Sequence, residues 1–381
     1  MKTFLSQLAS LNSPLCGGVA VGTLASDWVN AVKKIVFLGS LLGALSPGLA
    51  QTANALPQNL VITTVNVGSY PIGLVVSPDS STVYVANSSS GTISVIDATS
   101  NYAIKATITL PTNTYPECLA ITPDGTKLYA TNHVEQGTVS VIDTTQPTYP
   151  VVATLNVGAY PYGLAVTPNG MDLWVANQGS TYGQIPGTIS VFATATGTLQ
   201  TTLEPGGNPW LLAFAKQGAQ ADVLNYASTG FIQSINSTSW TVGRSVGAAG
   251  QLIYPDGMTT NGGSLYITDA ANYVSVCNAG DGVQTVQLLA VPNVYDDYEL
   301  GQPAVTKNGK YLYVPYFYNA GAESAGNQVA MLELATGQLV GTPITVGDYP
   351  YWTQISPNGQ TLYVVNEIYG TGSVTVVNIT P

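Results

Sequence analysis

The stretch YPYGLAVTPNGMDLWVANQG, residues 160–179, reads as a strand, a tight turn and a second strand. Leu164-Ala165-Val166 forms one apolar run and Leu173-Trp174-Val175 the other, with Pro-Asn-Gly punctuation between them. The chain repeats this phrase. Aligned on the Pro of the phrase, it recurs at Pro71, Pro116, Pro161, Pro209, Pro255, Pro303 and Pro350, with spacings of 45, 45, 48, 46, 48 and 47 residues. A period of about 45 residues suits a four-stranded propeller blade.

The first unit sets the grammar. IGLVVSP (72–78) is strand a, TVYVAN (82–87) strand b, ISVID (93–97) strand c and YAIKATITL (102–110) strand d. Val and Ile at successive positions predict burial on both faces, as blade-on-blade packing requires. The seventh unit stops at Pro381 without a fourth strand, while LVITTVNV (60–67) lies unused ahead of the first unit. Ring closure by that N-terminal strand would protect edges that an open array exposes. The fold class expected is therefore all-β: a seven-bladed β-propeller of four-stranded antiparallel blades over residues 58–381, its ring closed by the N-terminal strand. Units 4, 5 and 6 have drifted, but each keeps a Gly at the a–b turn (Gly218, Gly262 or Gly263, Gly309).

Residues 1–55 read as a leader. Lys33-Lys34 precede the apolar run IVFLGSLLGAL (35–45), followed by small-residue sites at 48–50 and 53–55. This pattern predicts a secretory signal peptide, with the remainder secreted, periplasmic or on the cell surface and without a membrane span after cleavage. Beyond residue 50 six basic residues stand against nineteen acidic ones, a net charge of −13. A surface that reads phosphates needs clustered Lys and Arg, so nucleic acid is excluded as a partner. Cys118 and Cys277 lie in apolar strand patterns and are expected to be buried free thiols.

LYVAN, LYATN and LYVVN, with GTISVID, GTVSVID and VGSYP, VGAYP, VGDYP, resemble the YVTN-repeat β-propellers of surface-layer and cell-surface proteins. The resemblance spans nearly all of 58–381 and implies the propeller fold. More distantly, the chain is similar to the seven-bladed propeller lactonases. That resemblance implies a mouth site using His, Arg and Glu, whereas this chain has one His and one Arg.

The repeat is its own control, because a residue present in every unit serves the blade and one that breaks the pattern is a candidate for function. Asn87, Asn132, Asn177 and Asn366 end strand b and are expected to bond the following turn, as Asp97 and Asp143 do after strand c. The Tyr before the Pro is expected to pack at the start of strand a. The residue after the Pro varies: Ile72, Glu117, Tyr162, Trp210, Asp256, Ala304 and Tyr351, with Trp352 following. With strand a innermost, this ring faces the channel mouth. Neighbouring loops would add His133, Glu135, Tyr182, Asp269, Tyr316, Tyr318, Glu367 and Tyr369, and an insertion at 291–302 adds Asp296, Asp297, Tyr298 and Glu299. The mouth is thus expected to be aromatic and acidic. It reads either as a solvated rim or as a site for a neutral or cationic ligand, a carbohydrate or another protein, with Glu117, His133, Tyr162, Trp210, Asp256, Tyr351 and Trp352 as ligand-binding candidates.

Enzyme templates fit poorly. One His precludes a multi-His metal site, and no Ser sits in a G-x-S-x-G elbow. No catalytic residue, cofactor or metal is expected, although Asp296, Asp297 and Glu299 could supply oxygens to Ca²⁺. The sequence favours an exported, non-catalytic binding or cell-surface propeller. The alternative is a lactonase-like hydrolase using Glu117 or Asp256 with His133.

Overall fold

A computed structural model describes residues 59–180, 185–246, 252–278, 287–290, 298–318, 327–368 and 370–380. The expected leader lies outside them. Each blade is an antiparallel sheet in the order a-b-c-d. In blade 2 these strands are Pro116–Ile121, Lys127–Asn132, Thr138–Asp143 and Val151–Asn156. Strand a of each blade neighbours strand a of the next, and blade 7 meets blade 1, so seven sheets close a ring around a central channel.

The closure is the one the unit count demands. Leu60–Asn66 pairs antiparallel with Ser373–Asn378, from Leu60 opposite Asn378 to Asn66 opposite Ser373, as strand d of blade 7. No helix among the described residues is long and apolar enough to cross a membrane.

The core lies between blades. Strands a, b and c are buried on both faces, as in blade 1 where Val83, Val85, Ala86, Ile93 and Val95 are all fully enclosed. Strand d is mostly exposed, because it forms the outer rim of every blade; Ile104–Thr109 alternates between solvent and wall. Cys118 and Cys277 are buried free thiols. The a–b hairpins turn through Gly125, Gly170 and Gly359 at φ near +75°, where a side chain would be strained. In the drifted blades Gly218, Gly262 and Gly309 hold the same left-handed region.

The strand-b Asn is structural, but by a different bond from the one expected. Asn132 Nδ2 donates across the sheet to Thr138 Oγ1 at 2.9 Å and Ser140 Oγ at 3.0 Å, not to its own turn. Asn87, Asn177 and Asn366 repeat this strut on Thr92/Ser94, Thr188/Ser190 and Ser373/Thr375. The hydroxyl pair two residues apart on strand c supplies the acceptors, which is why GTISV and GTVSV travel with the Asn. Asp97 and Asp143 do cap their turns, accepting from the backbone N–H two residues on.

Blade 6 departs most. Its strand a is split into Tyr298–Leu300 and Ala304–Val305, both paired with the eight-residue strand Tyr311–Tyr318. Pro315, which has no N–H to give the ladder, lies opposite the gap. Gly301 N–H donates to the Pro315 carbonyl there. This register corrects the sequence alignment. Leu300 pairs with Tyr316 as Pro116 pairs with Asn132. The ring position of blade 6 is therefore Gly301, not Ala304, and Glu299 stands where other blades carry the Tyr of Tyr-Pro. A side chain at Gly301 would sit 2.0 Å from the Tyr351 carbonyl oxygen, so the close approach of blade 7 requires glycine.

Candidate functional site

The start of strand a places one side chain per blade at the head of the channel. A cavity of about 840 Å³ opens there. Six of the seven ring positions line it through Ile72, Glu117, Tyr162, Trp210, Asp256 and Tyr351. Gly301 leaves the seventh without a side chain. A second tier comes from the residue after the strand-b Asn, whose N–H bonds the d–a loop: His133 to the Tyr115 carbonyl, Tyr226 to Asn208, Glu367 to Tyr349. His133, Tyr226 and Glu367 all line the cavity, as does Phe317 at the equivalent place in blade 6. A third tier is Tyr70, Glu299 and Tyr349, directly ahead of the Pro position.

These tyrosines are not simple packing residues. Tyr70, Tyr160, Tyr254 and Tyr349 have φ between 45° and 54°. A left-handed backbone costs a bulky residue about 1–2 kcal/mol. The surrounding hydrogen bonds hold it: Tyr70 N–H donates to the Ile368 carbonyl and accepts from Ser88 N–H at its own. The strained turn tips the Tyr70 and Tyr349 rings over the cavity.

The aromatic wall is continuous. Tyr162 and Trp210 stack at 3.6 Å with 12° between planes, and Trp210 meets Tyr226 at 5.1 Å. The Tyr162 and Tyr351 hydroxyls lie 3.3 Å apart, and Tyr351 donates to Asp256 Oδ1 at 3.0 Å. Trp210 Nε1–H donates to the Asp256 backbone carbonyl at 3.2 Å. Burial raises the Tyr162 and Tyr351 hydroxyls well above the usual phenol range, so both are neutral donors.

Three carboxyls are held out of water. Glu117 is 8% exposed, and burial pushes it up to about 8 against a hydrogen bond from Ser88 Oγ to Oε1 at 3.1 Å. Asp256 rises to about 7 through burial, opposed by the Tyr351 hydroxyl and reinforced by the charge of Glu299. Glu367 rises to about 7 through burial, against a hydrogen bond from Tyr70, with Asp256 and Glu299 adding repulsion. His133 does not balance them. Burial lowers it below the usual imidazole range, and its Nδ1 lies 3.3 Å from the Pro161 carbonyl. That acceptor fixes the hydrogen on Nδ1 of a neutral ring. Cys118 behind the wall is raised well above the usual thiol range by burial and by Glu117 and Asp256, so it is no nucleophile. Among the described residues the cavity lining contains no Lys or Arg.

Of the seven candidates from sequence, six come together here. Trp352 does not line the cavity. Side chains alternate along a strand, and with a bulge between Pro350 and Trp352 the indole packs against the apolar cluster that blades 7 and 1 share. Glu135 is exposed and away from the cavity. Asp269 is buried as a turn cap, accepting from Ala271 and Tyr273 N–H. Tyr316 is buried and donates to Gln328 Oε1. Tyr182, Asp296, Asp297 and Tyr369, with the side chains of Tyr298 and Tyr318, lie outside the described residues, and so does most of the Ca²⁺ site considered above. Among the described residues no group of three or more His, Cys, Asp or Glu is placed to hold a metal ion. Tyr226 and Phe317 were missed by sequence reasoning. Comparing units at the residue after the strand-b Asn, as was done after the Pro, would have found Tyr226.

A family model described as Arylesterase matches residues 37–176, just over a third of the chain, and spans blades 1 and 2 and half of blade 3. It includes Glu117, His133 and Tyr162 but stops short of Asp256, Tyr351 and Glu367. Comparison with curated proteins finds no match. Among solved structures, hydrazine synthase of Kuenenia stuttgartiensis is similar over 87% of this chain and 99% of that chain, at 20% identity and a TM-score of 0.68. At that identity the likeness speaks for the fold alone. The YVTN-repeat label rests on the motifs quoted from the sequence. What the fold and the comparisons support together is a seven-bladed β-propeller with an Arylesterase-like N-terminal third.

Proposed function

We propose that this propeller binds an organic cation in its central cavity. The observation that carries the reading is the composition of the lining: among the described residues, seven aromatic rings and four carboxyls, with no Lys or Arg. Aromatic faces attract ammonium groups, by about 0.5–2 kcal/mol depending on desolvation. A carboxyl in a poorly solvated wall keeps its proton, as Glu117 does without a ligand, or ionises when a cation pairs with it. The volume falls in the usual range for small-molecule sites, about 300–1,000 Å³. Isothermal titration with benzyltrimethylammonium tests the reading against its neutral isostere, neopentylbenzene. The cation is expected to bind, and Trp210→Ala to weaken it about tenfold, within the range of one cation–π contact. Equal binding of the neutral compound would overturn the proposal. Export through the leader belongs to the same proposal. N-terminal sequencing of the protein from its own host should find a mature terminus between Gln51 and Leu56.

The Arylesterase match supports a second reading, hydrolysis of an ester or lactone. A carboxyl near neutrality suits a general base, and Glu117 and Asp256 both qualify. Among the described residues the lining offers an oxyanion neutral hydroxyl donors such as Tyr162 but no Lys or Arg, so binding ranks first. Phenyl acetate and δ-valerolactone should turn over no faster with the protein than with buffer. Turnover that Glu117→Gln or Asp256→Asn abolishes would replace binding with hydrolysis.

A further inference from the structure

The two ends of the propeller differ in charge. Strand a starts and strand b ends beside the cavity, so the d–a and b–c loops surround its mouth, while the a–b and c–d turns lie at the far end. All six basic residues beyond residue 50 are among the described residues. Five of them sit at the far end. Lys127 opens strand b of blade 2, Lys216 lies between strands a and b of blade 4, and Lys307 and Lys310 occupy the same turn of blade 6. Lys105 lies near the start of strand d of blade 1, and its Nζ donates to Thr82 Oγ1 at the foot of strand b, at 2.8 Å. The sixth, Arg244, is midway along the outer strand Thr241–Val246. At the far end these cations mix with acids such as Asp79, Asp124 and Glu333.

Among the described residues the mouth end carries acids and no Lys or Arg. Beyond the cavity carboxyls, Glu135, Glu204 and Asp348 are exposed on its loops. The aromatic surface is equally one-sided. Tyr115, Tyr254, Tyr273 and Tyr349, at 39% to 50%, are the exposed aromatic residues among those described. Each lies in a d–a loop or, for Tyr273, at the start of strand c, so all four are at the mouth end. Tyr349 lines the cavity, and the other three stand outside it.

A small cation inside the cavity would touch neither these outer rings nor the outer acids. A polypeptide would reach both. Tyrosine is enriched at protein interfaces, and complementary charge steers and selects the partner. The acidic rim repels nucleic acid and anionic lipid and attracts a basic chain. A Lys or Arg side chain carries its charge on a long apolar stem, which suits a cavity walled by the Tyr162–Trp210 stack.

Resting on the cation-binding reading, we infer that the cation is a Lys or Arg side chain on a basic segment of a partner polypeptide, entering the cavity while the flanking residues lie on the acidic, tyrosine-bearing rim.

Isothermal titration of the full chain at pH 8 with acetyl-tetralysine amide and with acetyl-lysine amide tests this. The tetrapeptide should bind at least about ten times more tightly than the single residue, and lose about tenfold or more between low and high salt. It should also displace benzyltrimethylammonium. The triple variant Glu135→Gln, Glu204→Gln, Asp348→Asn should weaken the tetrapeptide about fivefold or more, with benzyltrimethylammonium affinity unchanged, because these acids are outside the cavity. A thermal melt shows that the variant is folded, and Tyr115→Ala should weaken the tetrapeptide in the same selective way. If the tetrapeptide binds no more tightly than acetyl-lysine amide, or binds without displacing benzyltrimethylammonium, the polypeptide inference fails while the cation site stands. If neither peptide nor benzyltrimethylammonium binds, both fail.

Discussion

Blades 2 and 6 carry the same sheet on unlike sequences. Blade 2 has its Pro116 anchor, its Asn132 strut and a Thr-x-Ser acceptor pair. Blade 6 has Leu300 for the anchor, Tyr316 for the Asn and a strand a broken around Gly301. Both still bury their b and c strands against the neighbouring blades. The sheet survives because inter-blade apolar burial is spread over many residues, while strut and anchor are local. The difference shows up at the site. Blade 2 offers Glu117 at the ring, whereas blade 6 withdraws its ring side chain and offers Glu299 in the third tier. Conformity to the repeat builds the wall, and departures from it furnish the cavity.

The hardest way to break the comparison is to remove a strand. Blade 7 is regular in sequence yet assembled from both ends of the chain, so deleting 59–67 leaves Ser373–Asn378 with an open edge. A ladder of hydrogen bonds at about 0.5–1.5 kcal/mol each amounts to several kcal/mol. For a domain of this size that lowers the melting temperature by roughly 10 °C or more. A deletion that melts like the parent would show that regular blades do not need all four strands.

The strut gives a sharper contrast. Asn132→Ala strands the Thr138 and Ser140 hydroxyls in a buried wall and should cost about 1–3 kcal/mol. In blade 4 Asn225 faces Phe231 and Gln233 instead of hydroxyls and reaches only carbonyls at 3.4 and 3.5 Å. Asn225→Ala should therefore cost less than about 1 kcal/mol, since bonds this long are weak. Urea midpoints of the two variants measure the difference, and equal losses would mean the strut is ornament in both blades.

The cavity has its own signature in pH. Burial raises Glu117 from 4.5 to about 8, so the native state holds its proton more tightly than the unfolded chain does. The stability this gives is full below pH 4.5 and is lost as pH climbs through 8. Asp256 and Glu367, each raised to about 7, act in the same direction. The ligand-free protein should thus melt at a lower temperature at pH 8 than at pH 5, and Glu117→Gln should flatten the slope. A melting temperature that rises over this interval would mean the carboxyls are solvated.

Most of the architecture was legible because a propeller repeats. Seven regularly spaced prolines, the missing last strand and the hydroxyl-rich strand c are visible without coordinates. The site was legible where the same alignment held, which is how Glu117, Tyr162, Trp210, Asp256 and Tyr351 were found. It failed where register depends on pairing. Pro303 looks like the anchor of blade 6, but the long partner strand Tyr311–Tyr318 selects Leu300 and shifts the ring position by three residues. Trp352 failed for a related reason, since a bulge decides which of two adjacent aromatics faces the channel. The positive φ of Tyr70 and Tyr349 was hidden because nothing in Tyr-Pro announces a left-handed turn. The hydrogen bonds that hold it come from neighbouring loops.

The smallest effect tests whether the blade 7 ring residue acts on the chemistry of blade 5. The Tyr351 hydroxyl donates to Asp256 Oδ1, and a bond to the charged form favours that form. It opposes the burial that raises Asp256 to about 7. Tyr351→Phe keeps the ring and removes the donor, so Asp256 should hold its proton to higher pH. A hydrogen bond to a charged group contributes about 1.5–3 kcal/mol when fully buried. Asp256 keeps some solvent exposure, so the shift should fall at the low end, about one pH unit. The measurement is the pH dependence of benzyltrimethylammonium affinity, which rises as the carboxyls ionise. Its midpoint should move upward in Tyr351→Phe. A midpoint that stays put would mean the Tyr351 hydroxyl serves Tyr162 rather than Asp256. A downward shift would mean that Asp256 does not govern cation binding, and the ring would then have to be assigned to Glu117 alone.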